Sequence, residues 1–135
     1  MDDLAGGCRC GAVRIVARGE PYRVGICHCQ DCRRQHGALF HASAIFPEAA
    51  VTVVGQTRAY QGRHFCPHCG SPVFARSGDE IEISLGCLDD QERVRPTYEL
   101  WTIRRQSWLP ALAEMRRYER DRTGNSRFEP PPEPD

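Results

Sequence analysis

The sequence predicts a mainly β domain of short antiparallel strands, stapled by bound metal and carrying one C-terminal helix. Two observations carry that reading. Short runs of β-branched and aromatic residues recur along the chain with glycine between them. Seven of the eight cysteines fall into three tight groups, Cys8/Cys10, Cys27/Cys29/Cys32 and Cys66/Cys69. A tetrahedral zinc ion takes four ligands, and closely spaced cysteines on tight turns deliver them in pairs, so the chain can supply one closed site and one open site.

In chain order, the first strands are expected at 12–17, 22–26, 38–46 and 51–54, broken by Gly11, Gly19, Gly37 and Gly55. Val13 and Ile15 share one face of the first of these, opposite Arg14 and Val16, so one sheet face is only half buried. Residues 30–36 are polar, lack proline and end at Gly37, which predicts a short helix with a glycine C-cap. Strands follow at 57–60, 72–76, 80–85 and 97–103. A longer helix is then expected: Trp108, Leu112 and Met115 recur at helical spacing, Pro110 sits in the first turn, and Ser107 is its N-cap. Arg116, Arg117 and Arg120 lie on its other face but are interleaved with Glu114, Glu119 and Asp121, which describes a solvated face rather than a nucleic-acid stripe. Gly124 breaks the pattern. The chain therefore divides into a zinc-binding domain over 1–122 and a proline-rich tail over 123–135, expected to be disordered.

With 27% charged residues and a formal net charge of zero, the composition is that of one small globular domain. Neutrality weighs against nucleic-acid binding, which excess positive charge dominates. No stretch reaches the roughly 20 apolar residues of a membrane span. All 18 basic residues are arginine, a side chain able to grip carboxylates through two parallel hydrogen bonds. An even cysteine count in a short chain also suits a disulfide framework. Residues 1–7, however, carry two acids, no basic region and no apolar run of signal-peptide length, so a cytoplasmic location with reduced thiols is expected.

Cys66-Pro67-His68-Cys69-Gly70 is the strongest local signal: the CxxC places two sulfurs on one knuckle, and the following glycine permits the positive φ the turn needs. A thioredoxin-like redox pair would open a helix, whereas this motif leads into a predicted strand. Cys8-Arg9-Cys10-Gly11 is an obvious second pair for a closed site, with two members of the middle trio as alternative donors. Cys27, Cys29 and Cys32 lie at a strand end entering a short helix, where three thiols can face one metal and leave a fourth position for water or substrate. The competing arrangement is a second closed site completed by Cys87, His28, His36 or His68. Cys87 alone among apolar residues reads as a small buried hydrophobe, and His36 and His41 as hydrogen-bonded structural residues. No nucleophile elbow or phosphate-cradling loop accompanies them, so metal is the catalytic equipment the sequence displays.

The ordered motifs Gly7-Cys8-Arg9-Cys10-Gly11, Cys27-His28-Cys29 through Cys32-Arg33-Arg34 with Gly37, Phe65-Cys66-Pro67-His68-Cys69-Gly70-Ser71, Gly86-Cys87-Leu88-Asp89 and Trp108 resemble the glutathione-dependent formaldehyde-activating enzymes and their centromere protein V relatives. The resemblance implies a β-tent fold. It also implies two zinc ions, a structural one on Cys8, Cys10, Cys66 and Cys69 and a catalytic one on Cys27, Cys29 and Cys32. The reaction it implies is a carbon-sulfur lyase's, joining glutathione or a similar thiol to formaldehyde or another small aldehyde to give S-hydroxymethylglutathione. A zinc-stabilised binding module without turnover is the alternative in a different class.

Overall fold

Two β-sheets enclose one hydrophobic core in the computed structural model, which describes residues 2–132. The smaller sheet is formed by β1 (Leu4–Gly7), β2 (Arg14–Ala17) and β5 (Val51–Val54). The larger sheet contains β3 (Arg23–Cys27), β4 (His41–Pro47), β6 (Arg58–Tyr60), β7 (Arg63–Phe65), β8 (Pro72–Ser77), β9 (Glu80–Ser84), β10 (Tyr98–Leu100) and β11 (Arg116–Arg117). Its spatial order is β11-β10-β3-β4-β9-β8-β7-β6. The one α-helix among the described residues, α1 (Gln30–His36), connects β3 to β4. None of the described helices is long and apolar enough to cross a membrane.

Alternation puts the apolar residues between the sheets. Ile15 and Ala17 of β2 face Phe46 of β4 and Ile81 and Ile83 of β9 in one buried cluster, while Glu80 and Glu82 take the other face of β9. Cys8 and Cys66 belong to the same cluster, so the loops carrying them are anchored in the core. β1 escapes sequence patterning because half of it is glycine, and packing explains why: a Cβ on Gly6 would lie 2.3 Å from the Cys87 carbonyl oxygen.

Two expectations are corrected. Residues 107–121 form no helix; they are irregular up to β11, which pairs parallel with β10. Helical spacing there has no surface to bury itself on, for Trp108 is 67% and Leu112 45% exposed, and only Met115 is buried. Extended pairing instead satisfies the backbone: Arg116 N–H donates to Thr97 O at 3.0 Å and Tyr118 N–H to Glu99 O at 2.9 Å. Glu114, at φ +58°, turns the chain into that strand. Nor is the larger sheet wholly antiparallel, because β10 runs parallel to β3, pairing Tyr98 with Gly25 and Leu100 with Cys27.

The segment expected to be a disordered tail is described as far as residue 132, and 133–135 lie outside the described residues. Within it, Arg127 pairs with Asp79 at 2.8 Å, Phe128 meets Tyr22 edge-on at 5.3 Å, and Glu129 accepts from Arg122 at 2.7 Å and from the Tyr118 hydroxyl at 2.6 Å.

Candidate functional site

The cysteines gather into two groups. Cys8 and Cys10 lie on the turn leaving β1, Cys66 and Cys69 on the turn between β7 and β8, and their four sulfurs all fall within 4.8 Å of one another. Thiolates around zinc at about 2.3 Å in a tetrahedron sit about 3.8 Å apart. The Cys8–Cys10 and Cys10–Cys66 sulfur separations, 3.6 and 3.8 Å, meet that spacing. Each turn is built to hold its sulfurs. Gly70, at φ +81°, donates its N–H to Cys66 O, while the His68 and Cys69 amides donate to the Cys66 sulfur at 3.4 Å each. Val13 N–H donates to the Cys8 sulfur at 3.2 Å, and Arg9 N–H reaches Ser71 Oγ at 3.1 Å, tying one turn to the other. The Ser71 hydroxyl, helped by backbone amides, pulls the Cys69 thiol down to about 5. Amides aimed at sulfur favour the thiolate, the form that binds metal.

The second group is Cys27, Cys29 and Cys32, half-buried and likewise within 4.8 Å of one another. Cys27 ends β3, Cys29 is the N-cap of α1 and accepts from the Cys32 amide at 3.3 Å, and Cys32 sits in the helix's first turn. Hydrogen bonding from the Cys32 thiol, joined by the Cys29 amide and thiol, outweighs burial and brings Cys27 down to about 6. The same bond, with burial, pushes Cys32 up. Within the trio, hydrogen bonding therefore favours the thiolate on Cys27 over Cys32. Among the described residues no fourth His, Cys, Asp or Glu joins this group.

The side chains weighed as a fourth donor are placed elsewhere. His28 turns inward to Glu99, Nε2 to Oε1 2.8 Å. Cys87 donates to Pro72 O at 3.0 Å, is pushed up to about 11 by burial, and lines a cleft of about 630 Å³ together with Arg9, Arg14, His36 and His41. His36 and His41 stack at 3.7 Å, and they also border a small recess that contains Cys32, Arg63 and Glu82. His68 stands on the Cys66/Cys69 turn, outside the trio.

Burial lowers His36 and His41 to about 4, aided by their mutual proximity for His36 and by Arg63 for both. Both imidazoles are therefore neutral at pH 7, and the unfolded chain binds more protons than the folded one between about 6.5 and 4. Their contribution to stability is complete above about pH 6.5 and falls away as pH drops toward 4. We expect their ring resonances to stay at neutral-form positions from pH 7 to 5, and a His36→Gln/His41→Gln variant to lose less stability over that range than wild type. Ring shifts moving with a midpoint near 6.5 would contradict this.

Glu82 is a candidate site residue that pattern reading passed over. It lines the recess beside Cys32 and a second cleft, of about 290 Å³, beside Cys27, Tyr98 and Arg122. Ser43 Oγ donates to its Oε1 at 2.7 Å. The signal was present in Glu80-Ile81-Glu82-Ile83, whose alternation places Glu82 opposite the core. The C-terminal arginines are engaged within the protein: Arg116 and Arg122 on Glu129, Arg117 on Glu99, and Arg127 on Asp79.

Comparison with known proteins bears on the family and the fold. A sequence profile described as glutathione-dependent formaldehyde-activating enzyme matches residues 3–104. A Schizosaccharomyces pombe protein named an uncharacterized lyase is 28% identical over 79 residues, 55% of this chain and 58% of that protein, so the match spans little more than half of the relative's length. The crystal structure of a Rhodobacter sphaeroides protein superposes with a TM-score of 0.53 at 24% identity, over 68% of this chain and 91% of the other, and supports the fold.

Proposed function

As the chain belongs to the glutathione-dependent formaldehyde-activating family, we propose that it is a zinc-dependent carbon-sulfur lyase acting on glutathione, or a similar thiol, and formaldehyde or another small aldehyde. In the synthetic direction the thiol sulfur bonds to the carbonyl carbon, the π pair moves to oxygen, and that oxygen takes a proton, giving S-hydroxymethylglutathione. Cys8, Cys10, Cys66 and Cys69 would hold a structural zinc, and Cys27, Cys29 and Cys32 a catalytic one. A zinc ion on the trio would supply a Lewis-acidic position that favours thiolate over thiol or polarises the aldehyde oxygen. The observation that carries the reading is the trio itself, three sulfurs within 4.8 Å with no fourth protein donor among the described residues.

The chain's own groups fit the remaining tasks. Glu82, steadied by Ser43 and bordering the clefts on the Cys27 and Cys32 sides, is the carboxylate placed to pass the proton from thiol to carbonyl oxygen. Arg122 lines the Cys27 cleft with its guanidinium already paired to Glu129 at 2.7 Å, so an acidic co-substrate such as glutathione would compete with that carboxylate for it. All eight cysteines are unbridged, which suits the reducing cytoplasm.

Exchange NMR tests the proposal by comparing formaldehyde-glutathione interconversion in buffer, with wild type and with Cys32→Ser. The thiol adds to formaldehyde without help, so the expected result is faster exchange with wild type and the buffer rate with the variant, its circular dichroism unchanged. Equal rates in all three samples would reject turnover and leave a binding module.

A further inference from the structure

His28 and Glu99 are the most deeply buried polar pair among the described residues, each 1% exposed, and His28 stands between two cysteines of the trio, Cys27 and Cys29. In an extended segment neighbouring side chains point to opposite sides, so as Cys27 and Cys29 converge on one side, His28 enters the protein on the other. There its Nε2 meets Glu99 Oε1 at 2.8 Å and its ring packs against Phe40, centroids 5.6 Å apart. Nδ1 is buried and finds no partner among the described residues, which puts the imidazole proton on Nε2, donating to the carboxylate. Glu99 Oε2 in turn accepts from Arg105 Nη2 and Arg117 Nε, both at 3.3 Å. The backbone adds a second tie, since His28 N–H donates to Leu100 O at 3.0 Å across the parallel β3–β10 pairing.

A loop that must hold three sulfurs ready for one ion needs its backbone fixed before the ion arrives. Mutual repulsion among thiolates otherwise spreads it. We propose that His28, gripped by Glu99, is the positioning residue for Cys27, Cys29 and Cys32: it fixes the loop from behind without itself contacting the metal. This rests on the reading of the trio as a metal site. Arg105 and Arg117 hold the Glu99 carboxylate in turn, so the segment after β10 serves the metal loop although it contributes no ligand to it.

Chelator titration of the cobalt-loaded full chain, followed by thiolate-to-cobalt absorption, tests this. Wild type should release cobalt in two phases, the trio's identified by its absence in Cys32→Ser. No such phase in wild type would mean the trio binds no metal, a failure of the underlying reading rather than of the positioning role. Hydrogen-bonded residues behind metal ligands typically hold 10 to 100-fold in affinity, so His28→Phe should raise the trio's chelator sensitivity by roughly that factor. His28→Gln keeps an N–H for Glu99 and should stay within about threefold of wild type, with the same visible band shape. The four-cysteine phase should not move in either variant. Unchanged trio affinity in His28→Phe, a parallel loss from both sites, or an altered band shape in His28→Gln would each overturn the proposal, the last by making His28 a ligand. Should His28→Phe fail to fold, Glu99→Gln and Glu99→Ala are read the same way. The amide retains an acceptor for His28 and the alanine does not, so equal chelator sensitivity in those two would also overturn it.

Discussion

Cys66→Ser is expected to abolish the cooperative thermal transition of the domain, while Cys32→Ser keeps it. Cys66 is fully buried, belongs to the core cluster and receives the amides of His68 and Cys69 on its sulfur. Through that sulfur the turn before β8 meets the turn after β1, joining segments 56 residues apart. Structural zinc contributes an apparent ~10 to 16 kcal/mol in zinc-finger peptides, as much as the whole stability of an ordinary domain, about 5 to 15 kcal/mol. If zinc sits on the four cysteines as proposed, losing the buried Cys66 ligand would weaken a term of the same order as the total. The trio caps the end of β3 and the start of a seven-residue helix with no buried side chain, so its loss leaves the core in place. Circular dichroism melts with zinc analysis decide the matter; a Cys66→Ser protein melting within a few degrees of wild type would show that the four-cysteine cluster does not staple the fold.

Gly25→Ala should destabilise the domain by about 3 kcal/mol, the upper part of the range for forcing extra atoms into a packed core. Gly25 stands opposite Tyr98 in the parallel pairing of β3 with β10. An added Cβ would lie 2.2 Å from Tyr98 Cζ and 2.3 and 2.6 Å from its ε carbons. The ring has little freedom to yield, being 3% exposed, with Tyr118 edge-on at 6.5 Å and Arg122 over it at 6.0 Å. The strain falls on β10 and thus on Glu99, the next residue along. Urea denaturation should show a lowered midpoint with an unchanged slope, and Tyr98→Ala should cost less in the Gly25→Ala background than in wild type. Strictly additive effects would mean that this contact is not the source of the loss.

Local elements were legible in proportion to how much of their energy is local. α1 runs over the predicted residues and ends at Gly37 with φ +59°, because a helix N-cap and a glycine C-cap act within one turn of chain. β5 likewise occupies its predicted residues, 51–54. The segment holding Trp108, Leu112 and Met115 was misread because periodicity records spacing and not the surface a helix would need, and here the free edge of β10 offered its backbone a better set of hydrogen bonds. Glu99 looked like any strand residue. Its partner His28 is 71 positions away, reached only through a parallel register that no short-range pattern encodes.

What the chain settles by itself is the chemistry of its donors and the turns that present them: cysteines two and three residues apart, with glycines where φ must be positive, within reach of their own backbone amides. Tertiary structure decided which turns meet, bringing Cys8 and Cys10 to Cys66 and Cys69, drawing His28 away from the trio, and leaving that trio with three donors among the described residues. The division has one physical cause. Turn geometry depends on bonds within a few residues, whereas the meeting of distant loops depends on sheet registers set by burial of a core that the whole chain shares.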